Sequence, residues 1–520
     1  MPRVRARQTR VPQAALATLR DVVFLDRKRL TELLGEEPPA EVPGVDGVTH
    51  DSRRARPGSA FVAVPGMKHD GTSFVPDALS RGAALVVAEK RPADGEGAPV
   101  VVVPDARGAL AELSRAVFGD PSAGMRVHGV TGTNGKTTTS YALHAILSEA
   151  YGAERCGLMT TAETISGGMR RPSVRTTPES VEVQSTLREM LDDGVRHAVV
   201  EVSSHGVALK RVSGTRFRGA LFTNLTRDHL DLHGSMEEYY RAKRELFLWA
   251  EGPKLANADD AHGRRLAGEV EGVRTFGVAG DADYRVERVG PGESGGTAFS
   301  ILHPGGVLEL ESPLLGGYNV ENVAGAASLA LALGVGEEAI LRAVRGMPQV
   351  PGRFERVAPS GELGFEVIVD YAHTDAGLEV VLEVAREVAD RSLGRVICVY
   401  GAAGDRDGAK RPLMGKVAAR LADFGVITTD DAYTEDPAKI AREVAAGAEG
   451  VPGGGDHEVV LDRREAIERA LRGARPGDVV VVAGKGHERV QHLPEGDVPF
   501  HDASVVRELL AERKKIRKGG

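Results

Sequence analysis

The chain has 520 residues, 42% hydrophobic and 27% charged, with 66 Lys+Arg against 74 Asp+Glu for a net charge of −8. That length suits about three domains, and no apolar run approaches the ~18 residues of a membrane helix. The acidic balance argues against nucleic acid as a partner. Two cysteines, Cys156 and Cys398, cannot build a disulfide framework, so a reducing cytoplasm and no membrane are expected.

Residues 1–21 read as a basic tail with Arg3, Arg5, Arg7, Arg10 and Arg20, lacking the apolar core of a targeting peptide. Beyond it, short β-branched runs alternate with amphipathic stretches, the βαβ signature of an α/β fold with parallel sheets. Two Gly/Pro-rich breaks, at 119–124 and 347–352, divide the chain into blocks 22–122, 123–350 and 351–520. Each block is long enough to bury its own core.

The strongest local signal opens the second block. The strand-like Arg126-Val127-His128-Gly129-Val130 runs into Thr131-Gly132-Thr133-Asn134-Gly135-Lys136-Thr137-Thr138, and a helix is expected from Thr137 to about Ser148. Backbone N–H groups of such a loop and the helix N-terminus cradle phosphates, Lys136 reaches the β/γ oxygens and Thr137 a Mg²⁺. Val130 stands where the strict pattern has its first glycine.

Three later strands end in polar clusters: 197–202 into Ser203-Ser204-His205-Gly206, 220–224 into Leu225-Thr226-Arg227-Asp228-His229, and 254–257 into Ala258-Asp259-Asp260. In an open parallel sheet these carboxyl ends converge on the phosphate loop. Glu201 and His229 there offer oxygen and imidazole ligands for Mg²⁺ beside ATP. Lys243, in Tyr240-Arg241-Ala242-Lys243-Arg244-Glu245-Leu246-Phe247, reads from pattern alone as a surface helix lysine.

These motifs resemble the Mur ligases of peptidoglycan synthesis, and among them the tripeptide-forming type, MurE. The likeness runs over about residues 45–510. It includes Asp51-Ser52-Arg53, Phe61-Val62-Ala63-Val64-Pro65-Gly66, Asp70-Gly71 and the phosphate loop. Glu201-Val202-Ser203-Ser204-His205-Gly206, residues 225–234 and Gly316-Gly317-Tyr318-Asn319-Val320-Glu321-Asn322 continue it. Gly352-Arg353-Phe354-Glu355, Asp370-Tyr371-Ala372-His373-Thr374, Gly404-Asp405-Arg406-Asp407, Lys410-Arg411-Pro412-Leu413-Met414 and Gly484-Lys485-Gly486-His487-Glu488 complete it. The resemblance implies three α/β domains: a uridine-nucleotide-binding domain, a central P-loop ATPase-like parallel-sheet domain and a C-terminal Rossmann-like domain.

It further implies an ATP-dependent ligase that adds a diamino acid to UDP-N-acetylmuramoyl-L-alanyl-D-glutamate through an acyl phosphate, with ATP and Mg²⁺ as cofactors. Gly132, Thr133, Asn134, Gly135, Lys136, Thr137, Thr138, Asn322, Arg353, Asp370 and His373 would bind ATP. Thr137, Glu201, His229 and Lys243 would hold metal, Lys243 as a carbamate, and Lys136, Lys243, Glu201 and His229 would serve catalysis. Ser52, Met67, Lys68, His69, Thr176, Thr177, Ser203 and Arg211 would hold the UDP-dipeptide. Arg406, Asp430, Asp431, Tyr433, Gly484 and Glu488 would hold the amino acid. The chain is expected to act as a monomer.

Two departures from the family pattern stand out. Family members that add meso-diaminopimelate carry Asp-Asn-Pro-Arg where this chain has Asp430-Asp431-Ala432-Tyr433, a change of about two charge units toward negative. L-lysine or L-ornithine is therefore the expected added amino acid, with meso-2,6-diaminopimelate as the alternative. Asp375 replaces the proline that follows the family's Asp-Tyr-Ala-His-Thr, which bears on the loop beside ATP. More distant readings are a folylpolyglutamate synthetase-like ligase, which lacks a first domain like that around Asp51–Gly71, and a non-catalytic nucleotide-binding scaffold, which needs no second metal site.

Overall fold

The computed structural model describes residues 22–66, 70–92, 97–173, 175–293, 295–358 and 364–519. They fall into two compact units, one of residues up to Pro313 with Gly317–Gly346, the other of Met347–Gly520 with Leu314–Gly316. Among the described residues no helix is long and apolar enough to cross a membrane.

The first unit holds a small and a large sheet. The small one is parallel, in the order β1 (Gly47–Thr49), β2 (Ser59–Ala63), β3 (Leu85–Ala88) and β4 (Val100–Val102). Strand β2 is buried at every residue, as a strand covered on both faces must be. Helix α1 (Ala106–Val117) starts at Asp105, whose carboxylate accepts from Gly108 N at 3.0 Å. It buries Leu110, Leu113 and Val117 in the core with Val62 and Val87.

The large sheet has eleven strands: β5 (Arg126–Thr131), β6 (Cys156–Met159), β7 (Glu163–Ser166), β8 (Met169–Pro172), β9 (His197–Glu201), β10 (Phe217–Phe222), β11 (Lys254–Asn257), β12 (Val273–Gly277), β13 (Tyr284–Pro291), β14 (Thr297–His303) and β15 (Gly306–Ser312). Their order is β8-β7-β6-β9-β5-β10-β11-β12-β13-β14-β15. The run from β6 to β13 is parallel, and antiparallel strands extend both edges. Helices α2 (Lys136–Tyr151), α3 (Ser180–Asp192), α4 (Met236–Trp249) and α5 (Gly317–Ala332) belong to this unit. Helix α2 begins one residue before the expected start and runs three beyond the expected end, to Tyr151. Gly135 precedes it at φ 81°, a left-handed turn that glycine adopts without strain.

The carboxyl ends of β5, β9, β10 and β11 share one rim. Thr223 N donates to Thr131 O at 2.9 Å and Val202 N to Val130 O at 2.8 Å, which fixes the register there.

His128, inside β5, is fully buried, and neither ring nitrogen has a hydrogen-bond partner. Burial, then the charges of His197 and Arg126, hold its pKa at about 3. The folded state therefore keeps the ring neutral, while the unfolded chain protonates it below about pH 6.5. Stability is full above that value and falls as the pH drops toward 3. Acidification from pH 7 to 5 should cost about 2 kcal/mol through this ring alone. Urea midpoints at the two pH values should separate less in His128→Leu than in the parent; an equal separation would refute the assignment.

The second unit carries a six-stranded sheet: β16 (Glu355–Ala358), β17 (Glu366–Asp370), β18 (Val396–Tyr400), β19 (Phe424–Ile427), β20 (Asp456–Val459) and β21 (Val479–Ala483), in the order β16-β17-β21-β18-β19-β20. Only β16 is antiparallel. Strand β21 is buried throughout. Arg463 and Asp502 form a fully buried ion pair at 2.8 Å, and Arg463 also donates to Ala483 O at the end of β21. The carboxyl ends of β17, β18, β19 and β21 again carry the polar loops.

Candidate active site

The phosphate loop is pinned by backbone. Thr133 N donates to Asn224 O, Asn134 N to Asn224 Oδ1 at 2.9 Å, and the Thr223 hydroxyl to Asn134 O at 2.6 Å. Any Cβ on Gly132 would lie 1.8 Å from Thr223 Oγ1, and one on Gly135 2.0 Å from Asn322 Oδ1. Both positions must be glycine, which leaves a cradle open to phosphate. Asn322, on α5, thus lies against the loop, where it also accepts from Thr139 Oγ1 at 3.3 Å. Lys136 Nζ donates to Thr133 O at 2.8 Å, folded over the loop, and Thr137 and Thr138 are buried at the start of α2.

Glu201, 1% exposed at the end of β9, is the hub beside this loop. Its carboxylate accepts from Thr137 Oγ1 at 3.0 Å, Thr161 N at 3.0 Å and Thr161 Oγ1 at 3.2 Å. Among the described residues no cation lies within ion-pairing distance of it. A buried carboxylate with only neutral donors suits a hard divalent cation.

Thr161 Oγ1 also donates to Thr176 Oγ1 at 3.0 Å, and Thr177 Oγ1 donates to Glu201 O at 3.1 Å. Ser203 N and its hydroxyl donate to Thr177 Oγ1 at 3.0 Å, and Arg211 donates to Thr177 O at 3.1 Å. Thr176, Thr177, Ser203 and Arg211 are thereby one hydrogen-bonded set with Glu201. Arg211 is also paired with Glu179 at 2.7 Å, as are Arg107 and Arg175 at 3.6 and 3.3 Å. Three guanidinium groups around one carboxylate leave positive charge for an anionic ligand.

Lys243 is not a surface lysine. It is 1% exposed on α4, its Nζ donates to Gly132 O at 2.5 Å, and it lies 4.5 Å from the Tyr239 ring. Burial, with the Lys136 charge, pushes its pKa well below the ordinary lysine value. His229 has a left-handed backbone (φ 52°), and its ring lies edge-on to His205 at 4.6 Å and to Tyr239, the ring beside Lys243, at 6.2 Å. Ser52 is buried in the short turn after Asp51. Met67, Lys68 and His69 lie outside the described residues.

The second unit gathers its own cluster. Asp370 accepts from Phe354 N at 2.6 Å and Ala372 N at 2.7 Å, and burial raises its pKa although Arg353 opposes this. The Arg353 guanidinium lies 4.4 Å over the Tyr371 ring, and His373 Nδ1 is 2.8 Å from Tyr371 O. Tyr371 OH donates to Glu488 at 3.2 Å. Gly484 has φ 117°, and a Cβ there would meet Asp430 Oδ2 at 2.5 Å.

Lys485, with a fully buried side chain, donates to Asp431 Oδ1 at 2.7 Å and Glu488 Oε2 at 2.8 Å, with Asp430 at 4.0 Å. Burial works against its ammonium, yet Asp430, Glu488 and Asp431 together hold its pKa above the ordinary value. Asp431 also accepts from His492 N at 2.9 Å. Tyr433, at φ 49°, stacks on His492, and the Arg406 guanidinium lies 5.6 Å from its ring.

Three family models match the chain: the "Mur ligase family, catalytic domain" over residues 44–117, the "Mur ligase middle domain" over 130–330, and the "Mur ligase, glutamate ligase domain" over 352–486. The chain belongs to the Mur ligase family. This Mur ligase is 41% identical over 494 residues to a protein of Gloeobacter violaceus named UDP-N-acetylmuramoyl-L-alanyl-D-glutamate–2,6-diaminopimelate ligase, covering 94% of this chain and 99% of that one. A protein of Solibacter usitatus with the same name is 42% identical, covering 90% and 93%. A solved structure of a ligase with that name matches at TM-score 0.65 and 30% identity, over 95% of this chain and all of that one. The MurF ligase of Thermotoga maritima, solved with ADP, shares the fold at TM-score 0.60 and 19% identity, over 90% of this chain and 98% of that one.

The architecture is thus the three-domain α/β arrangement of the family, and the Mur ligase is an ATP- and Mg²⁺-dependent enzyme that forms an amide bond in peptidoglycan precursor synthesis.

The expected preference for L-lysine needs correction. It treated Asp431 as bare negative charge, but that carboxylate is paired with Lys485, and Arg406 is the cation beside Tyr433. The relatives named above are diaminopimelate ligases, in line with the alternative. Sequence reasoning also passed over Thr161 and Glu179, ordinary loop and cap residues in pattern whose roles arise from contacts 40 and 32 positions along the chain.

Proposed function

We propose that this Mur ligase joins meso-2,6-diaminopimelate to the D-glutamyl γ-carboxylate of UDP-N-acetylmuramoyl-L-alanyl-D-glutamate. The observation that carries the choice of amino acid is the Lys485–Asp431 pair, which engages the carboxylate that a distal ammonium would otherwise meet, with the Arg406 guanidinium nearby for a carboxylate. The relatives' names support the same reading. We assign residues 22–122 to the uridine nucleotide, with Ser52 and residues 67–69, 123–350 to ATP and the dipeptide, and 351–520 to the amino acid, in the cytoplasm.

In this reading Gly132 to Thr138 hold the nucleotide phosphates, and Asn322, Arg353, Asp370 and His373 hold the rest of ATP. Lys136 neutralises charge as the γ-phosphoryl moves to the γ-carboxylate. Thr176, Thr177, Ser203 and Arg211 orient the dipeptide beside Glu201. Gly484 and Glu488, with Asp430, position the α-amine that attacks the acyl phosphate, forming the amide and releasing phosphate. Mg²⁺, when bound, neutralises phosphate charge, and Thr137, Glu201, His229 and a carbamylated Lys243 would hold it. With no covalent enzyme intermediate, catalysis is positioning and charge stabilisation.

Ligation with ATP, Mg²⁺ and the UDP-dipeptide, offering meso-diaminopimelate, L-lysine and L-ornithine separately, tests this. We expect kcat/KM for diaminopimelate to exceed that for lysine by about a hundredfold, the cost of one unpaired buried charge. Equal or better use of lysine would overturn the amino-acid assignment. ATP turnover indifferent to the UDP-dipeptide would overturn the ligase reading.

A further inference from the structure

A cavity of about 650 Å³ opens on the large sheet at the rim opposite the phosphate loop, where β5, β9 and β10 begin. Arg126, Arg196, His197, Arg218, Glu251 and Leu333 are among its lining residues. Arg126 opens β5, Arg196 immediately precedes β9, and Arg218 is the second residue of β10. Arg126 N donates to Arg196 O at 2.8 Å, so two of the arginines are fixed side by side on adjacent strand starts.

The charge in this cavity is unbalanced. Glu251 is paired with Arg218. Arg196 donates only to carbonyls, those of Val195 and Leu191, the second at the end of α3. Arg126 has no carboxylate within ion-pairing distance among the described residues. Two guanidinium groups are thus uncompensated in a chain of net charge −8. The effect reaches the histidines: burial first, and then Arg126, hold the His197 pKa at about 4.

His197 supplies a second, independent feature. Its Nδ1 is buried without a hydrogen-bond partner, and the ring is held flat on Tyr151 at 4.1 Å. Beside it, the exposed Arg126 and Arg196 guanidinium groups, neither paired with a carboxylate among the described residues, form a donor set. A cavity of this size lies within the range of small-molecule sites, about 300–1,000 Å³. Planar guanidinium forks match phosphate oxygens two at a time.

We propose that this cavity binds a small molecule carrying phosphate groups, at a site separate from the phosphate loop. Its occupant would touch the starts of β5 and β9, the strands whose far ends carry the phosphate loop and Glu201. The assignment is independent of which amino acid the enzyme adds.

The test is calorimetric titration of the full chain with inorganic pyrophosphate in magnesium-free buffer at fixed ionic strength. Lys136→Ala, which disables the phosphate loop, should retain one saturable site. Adding Arg126→Ser and Arg196→Ser to that variant should weaken this site at least tenfold. With Lys136 intact, the two serine changes should leave ligation within twofold, which also shows that they fold. Should the triple variant fail to fold, Arg126→Gln with Lys136→Ala should still weaken binding about threefold. No saturable site in Lys136→Ala, or unchanged affinity after the arginine changes, would overturn the proposal.

Discussion

Lys243→Ala should lower ligation by about 10²–10³-fold, the loss typical of one group that stabilises developing charge. The lysine is placed for more than packing. Its amine meets Gly132 O inside the phosphate loop, and the nearby charges are Lys136, Asp228 and Glu201. As an ammonium it would add positive charge beside Lys136 at a depth where that is costly. Burial shifts the amine toward its neutral form, and a neutral amine adds CO2 to give a carbamate and a proton. That product would carry −1, complement Lys136 and offer Mg²⁺ an oxygen ligand.

Lys243→Arg, which keeps a positive charge and a long stem but forms no carbamate, should be as inactive as the alanine variant. Protein equilibrated with ¹³C-bicarbonate should show one carbamate carbonyl resonance that both variants lack. Full activity in Lys243→Ala, or no such resonance in the parent, would sink the role. Thermal unfolding of the variants separates it from a loss of fold.

Lys243 also shows where pattern reading stopped short. Arg241, Arg244 and Glu245 around it suggest a solvated face. Yet Tyr239, Tyr240, Leu246 and Phe247, three and four positions away on either side, are all buried. At helical spacing those residues form a stripe with Lys243 at its centre. The sequence held the signal in its periodicity, and only the resemblance assigned it. The phosphate loop was legible because its recognisable parts are local: a strand, two glycines at positive φ, and a helix start. The rim of Glu201, Thr223 and Asn257 followed from the rule that ligands gather at strand carboxyl ends. The pairing of Lys485 with Asp431 spans 54 positions and depends on which strands the second unit sets side by side, so no local pattern contains it.

That pairing yields the last expected result. In Lys485→Met, Asp431 and Glu488 stay in a site where their side chains are 8% and 32% exposed, with their shared cation gone. Removing one partner of such a pair costs about 3–5 kcal/mol, so the unfolding midpoint should drop clearly. The catalytic consequence is more specific. A bare Asp431 repels the distal carboxylate of diaminopimelate and attracts the distal ammonium of lysine. The kcat/KM for diaminopimelate should fall about thirtyfold, equivalent to about 2 kcal/mol, while that for lysine falls less or rises.

Adding Asp431→Asn should restore most of the stability and return the ratio toward its original value, because the amide needs no counter-ion. The ratio is the decisive readout, since a purely structural lysine would lower both rates together. An unchanged ratio in Lys485→Met would place Asp431 away from the amino acid's side chain. Discrimination would then rest on Arg406 and Tyr433, and Arg406→Gln should cost diaminopimelate more than lysine.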